Sequence, residues 1–80
     1  MINVIRMDAQ SDDVAIDTLR VFDTQTPLRD LYNYVKGSAV GIAEKYPKAL
    51  VDMGEFKNLP HASVYVDDII KHLVFAEFEW

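Results

Sequence analysis

The chain has 80 residues, half of them hydrophobic and 26% charged, with a formal net charge of −5 and no cysteine. Those figures describe one domain, residues 1–80, and exclude disulfides, thiolate chemistry and cysteine-bound zinc. No apolar run approaches the ~20 residues that cross a bilayer, and the first residues lack the basic end and apolar run of a signal peptide, so a cytoplasmic protein is expected.

Ile2–Met7 is short and β-branched and predicts a first strand; the polar Asp8–Asp13 stretch predicts a turn. Val14–Phe22, rich in Val, Ile, Thr and Phe, predicts a second strand that forms a hairpin with the first. Strict alternation places Val14, Ile16 and Phe22 on one side of it, with Leu19 and Val21 opposite.

The segment from Thr26 to Tyr46 is the one long stretch with helical period. With Leu28 as origin, Leu31, Val35, Ala39, Ile42 and Tyr46 form one apolar stripe. Thr26 suits the N-cap and Pro27 the first helical position. Asp30 near the start, and Lys45 and Lys48 near the end, complement the dipole. Pro47 disfavours helix at Tyr46 and ends the element there. Gly37 and Gly41 lie on the opposite side of this helix, beside Tyr34. They cost about 2 kcal/mol together relative to alanine. Either they are tolerated on a solvated side, or the helix breaks near Gly37, or they let another chain approach the bare backbone.

Ala49–Met53 predicts a third strand stopped at Gly54, and Glu55–His61 a loop broken by Asn58 and Pro60. Ser63–Val66 predicts a fourth strand. Asp67-Asp68 reads either as a turn before a strand reaching Phe78 or as the cap of a terminal helix. The alternation of Ala76, Phe78 and Trp80 against Glu77 and Glu79 favours the strand.

One helix with a single apolar stripe must lie across one side of a mostly antiparallel, four- to five-stranded sheet, an α+β domain of order ββαββ(β). Size and order resemble the β-grasp arrangement of ubiquitin-like domains. That resemblance implies first and last strands paired in parallel at the sheet's centre. No diglycine ends the chain, so a conjugated-modifier role is not carried over.

The sheet's other side is then left with large apolar groups among Arg6, Asp8, Asp17, Arg20, Glu77 and Glu79, unless a small layer built from residues 54–61, with Phe56 and Leu59, covers it. Charge is uneven: residues 1–23 sum to −3, residues 24–48 to +2 and residues 49–80 to −4. An acidic strand surface repels phosphate and suits a basic protein partner.

Chemistry-bearing patterns are sparse. No acid follows His61 or His72 at helical metal-pair spacing, Asp12-Asp13 and Asp67-Asp68 are adjacent acids of the kind found at solvated turns, and Ser11, Ser38 and Ser63 lack an activating histidine in sequence. No catalytic residue, metal ligand or cofactor is expected. The sequence instead predicts a non-enzymatic protein-binding module that masks a surface on a larger, basic protein and self-associates, with contacts drawn from Tyr34, Gly37, Gly41, Asp8, Asp17, Phe75, Glu77, Glu79 and Trp80. Its composition is similar to that of small phage inhibitors of the anti-CRISPR type, which implies a nucleic-acid-binding protein as target. An accessory subunit of a larger complex is the other expectation.

Overall fold

The computed structural model describes residues 1–8, 15–66 and 69–78. Five strands and one helix follow in the order β1 (Ile2–Asp8), β2 (Ala15–Phe22), α1 (Leu28–Ala43), β3 (Leu50–Phe56), β4 (Leu59–Val66) and β5 (Ile69–Phe78). The strands form one sheet of spatial order β2-β1-β5-β4-β3, and every neighbouring pair is antiparallel. The first and last strands are neighbours, as the β-grasp resemblance implied, but they run antiparallel rather than parallel. Residues 69–78 are strand, not helix. The expected Asp67-Asp68 turn, the Val14 position and most of the 8–13 turn lie outside the described residues.

Helix α1 begins where Pro27 hands its carbonyl oxygen to the amides of Asp30 and Leu31. Pro27 itself, with an extended ψ of 141°, occupies the cap position in place of Thr26. The polar turn ahead of it belongs to Asp23, whose carboxylate and carbonyl accept from the amides of Gln25 and Thr26. At the other end the helix stops three residues before the expected Tyr46. The amides of Lys45 and Tyr46 bond three residues back, to Ile42 and Ala43, so the last turn tightens ahead of Pro47. Lys45 and Lys48 therefore lie beyond the helix, Lys48 with a left-handed φ of 61°.

Leu31, Val35, Ala39 and Ile42 are buried on the stripe that the periodicity marks. Leu28, at its start, stays 49% exposed. The stripe packs on Ile2, Val4, Ala62, Val64, Val74 and Ala76, which all point to one side of the sheet. Each fully buried Leu, Ile or Val in this layer contributes roughly 1.5–3 kcal/mol. The helix lies chiefly over β4 and β5, the centre and one flank of the sheet.

Two irregularities reassign side chains. Val4 faces Arg20 while Ile5 faces Thr18, so Leu19 is an extra residue in β2. Such a bulge inverts the alternation beyond it. Ile16 therefore shares a side with Val21 rather than with Phe22, and Leu19 packs against the core. Between β4 and β5 the register shifts again, Val64 facing His72 and Tyr65 facing Ile70.

The segment 54–61 is not a loop. Strand β3 runs through Gly54 to Phe56, and Phe56 pairs with Leu59 across a two-residue turn in which Lys57 and Asn58 have φ of 52° and 66°. Two successive left-handed residues give the turn the twist a tight hairpin requires. Pro60 and Gly54, expected as breakers, are strand residues. The hairpin widens the sheet in its own plane and adds no second layer.

Candidate interaction surface

Along β1, residues Ile2, Val4, Arg6 and Asp8 point toward the helix, and Asn3, Ile5 and Met7 point away. The same parity, carried across the ladders, puts Ile16 and Val21 of β2, Leu73, Phe75 and Glu77 of β5, His61 and Ser63 of β4, and Asp52 and Phe56 of β3 on the helix-free side. Among the described residues no element covers this side. Ile5 is buried by its neighbours alone, whereas Ile16 is 62% and Phe56 69% exposed. A concavity of about 410 Å³ opens over Met7, Leu73 and Phe75, walled by Phe56, His61 and Glu77. An extended apolar floor with a few polar groups on its rim has the composition of a protein contact surface.

His61 has an unusual seat in this wall. Its ring leans over Gly54, the residue opposite it on β3, so closely that a Cβ there would lie 2.7 Å from Cε1. Glycine within a strand often marks such a close approach. The ring's Nδ1 is buried and has no hydrogen-bond partner among the described residues. Ser63, expected to lack an activating histidine, lies two residues from His61 along the same side, with no hydrogen bond joining the two.

Asp8 and Asp17 point to the helix side of the sheet, not to the open one. Arg6 and Asp17, opposed in the β1–β2 ladder, form a salt bridge through Nη2 and Oδ2. Arg20 is on that side as well, its guanidinium 4.7 Å from the Phe22 ring centroid and 5.6 Å from that of Tyr34. Arg6 and Arg20, expected on the open side, thus flank the helix. The bulge and the ladder register account for this, because sequence parity alone cannot say which side the helix takes. Phe75 and Glu77 are on the open side as expected. Glu79 and Trp80 fall outside the described residues.

Tyr34 is half-buried, edge-on to Phe22 with centroids 5.2 Å apart and planes at 72°. Much of its ring is thus used within the chain. Gly37 and Gly41 are exposed, with nothing within 4 Å of an added Cβ. The open sheet side and the glycine side of the helix are therefore separate surfaces on opposite sides of the molecule.

His72 is buried on the helix side, where its Nε2 and the Tyr46 hydroxyl are 3.0 Å apart. Burial pushes its pKa below the ordinary 6.5; Asp8 opposes this, and Arg6 and Lys45 add to it. Among the described residues no group of three or more His, Asp or Glu side chains is placed to hold a metal ion. Among the described residues no helix is long and apolar enough to cross a membrane. Comparison with protein-family models, with curated proteins and with solved structures finds no match.

Proposed function

We propose that this chain is a non-enzymatic protein-binding module whose contact surface is the helix-free side of its sheet. The observation that supports this reading is the concavity over Met7, Leu73 and Phe75, an apolar floor that nothing in the described chain covers. A partner fits it by inserting an aliphatic or aromatic anchor side chain into the concavity. Charge states the partner's rim. Glu77 and Asp52 lie on this side, and the chain as a whole carries −5, so a basic border around the anchor is complementary. Binding then masks a surface of a larger protein, or seats the chain permanently as an accessory subunit. Inhibition of a nucleic-acid-binding host protein is a narrower form of the first reading, its target's basic surface meeting the same rim.

Two measurements test it. The native protein should enhance the fluorescence of an apolar anionic dye, 1-anilinonaphthalene-8-sulfonate, and Phe75→Arg should abolish this while the folded circular dichroism spectrum persists. A partner recovered from source cells should be lost with Phe56→Glu, at a position too exposed to matter for folding, and retained with Gly41→Leu. Dye binding that ignores Phe75→Arg, or a partner that ignores Phe56→Glu but not Gly41→Leu, refutes the assignment of this surface.

A further inference from the structure

The sheet has two outer strands, and they are protected unequally. Strand β2 carries the Leu19 bulge, which bends an edge and interrupts its pattern of free backbone groups. Strand β3 runs seven residues in unbroken register with β4, and it contains neither proline nor lysine. Its outer side has no partner strand among the described residues. The Phe56–Leu59 pair closes the hairpin and exchanges hydrogen bonds. Antiparallel ladders alternate from there, so the N–H and C=O groups of Glu55, Met53 and Val51 point outward. Pro60, opposite Glu55, agrees with this phase, because a residue without an N–H loses nothing at a non-bonded position toward β3.

We infer that β3 pairs antiparallel with β3 of a second copy about a two-fold axis at Met53, joining two sheets into one of ten strands. The sequence of β3 selects that register. With Met53 facing Met53 of the second copy, all seven residues are paired, and Leu50 meets Phe56 of the second copy at both ends. These two side chains are 65% and 69% exposed in the single chain. Val51 meets Glu55 and Asp52 meets Gly54, so no like charges face each other. Sliding the pairing to centre on Asp52 sets two carboxylates side by side, which is destabilising in a cross-strand pair. The Met53 register also aligns the outward groups of Val51, Met53 and Glu55 with those of the second copy, for six backbone hydrogen bonds.

A second observation agrees with the same register. Asp52 of the second copy stands opposite Gly54, directly beside the ring of His61 that leans over that glycine. The His61 ring, whose Cε1 and Nε2 lie nearest that glycine, thereby gains a carboxylate as neighbour. There is also room for the helices. Strand β4 and its counterpart would be three strand spacings apart, roughly 14 Å, more than the 8–10 Å that packed helices need. Leu50 of the second copy comes to lie beside Phe56, extending the wall of the concavity.

Size-exclusion chromatography with light scattering at hundred-micromolar concentration should return twice the 9.1 kDa chain mass. Met53→Pro, which removes an outward N–H, should halve it with the far-ultraviolet spectrum preserved, and Asp52→Ala should raise the dimer dissociation constant several-fold. The chain has no cysteine, so M53C offers a clean register test. Its Cα atoms would be about 5.5 Å apart across the axis, within disulfide range, and mild oxidation should link them far faster than I16C on the other edge. A wild-type monomer overturns the inference. So does a dimer that a folded Met53→Pro variant keeps, one that Gly41→Leu dissolves instead, or M53C linking no faster than I16C. If Met53→Pro does not fold, the two cysteine variants decide.

Discussion

The Tyr46–His72 contact offers the sharpest test of how the core is held. Tyr46→Phe keeps the ring and removes only the hydroxyl 3.0 Å from His72 Nε2. His72 is 5% exposed, so water reaches the vacated position poorly. Leaving a buried polar atom without this bond costs about 1–3 kcal/mol, and each 1 kcal/mol lowers the midpoint of a domain this size by roughly 4–8 °C. Acidity should act through the same ring. Its pKa is lowered by burial below the 6.5 of the unfolded chain, so below 6.5 the unfolded state takes up the proton first. The folded state's advantage is thus complete above 6.5 and declines as pH falls from 6.5 toward the lowered value, by 1.36 kcal/mol per unit of separation. Thermal unfolding at about pH 7.5 and about pH 5.5, for wild type and His72→Gln, isolates this ring from His61 and the carboxylates. Wild type should lose more stability on acidification than His72→Gln does. Equal losses, or a Tyr46→Phe midpoint indistinguishable from wild type at neutral pH, would refute the reasoning.

Gly37→Ala combined with Gly41→Ala should stabilise the monomer by up to about 2 kcal/mol, since both positions are helical and open space surrounds an added Cβ; a denaturant midpoint that falls would show that this side is not solvated. The helix's two leucines should differ sharply. Leu31→Ala, at 1% exposure, should cost about 2–5 kcal/mol, whereas Leu28→Ala, half exposed, should cost well under half of that in the same urea titration.

The elements that sequence reveals best are those whose own side chains carry the period. Leu31, Val35, Ala39 and Ile42 mark the helix stripe without help, and Ala76, Phe78 and Glu77 mark the final strand. What eluded the sequence depends on ladders between distant strands. The Leu19 bulge leaves no trace in β2 alone, and it decides on which side Ile16 falls. Lys57-Asn58 is a weak hairpin signal, because lysine rarely accepts left-handed φ, so the sequence alone shortens β3 and β4 and predicts a loop between them. Gly54 reads as a stop until the His61 ring is seen lying on it. The open side of the sheet was legible from the single helix stripe, but its composition was not. Acids such as Asp8 and Asp17 turn toward the helix side, and Leu73, Phe75 and Met7 form the floor of the concavity.

The arrangement of strands also dictates when the molecule can come together. β1 and β2 form one local hairpin, β3 to β5 form a meander, and the two join where β1 meets β5, with Ile2 opposite Phe78. Closing that seam joins residues from nearly opposite ends of the described chain, an entropically costly step that slows folding. During synthesis the middle strand of the sheet is also the last of the five described strands to emerge. Until it does, the helix stripe and the β1 hairpin have no shared floor, and the nascent chain must hold exposed apolar surface that the finished domain conceals.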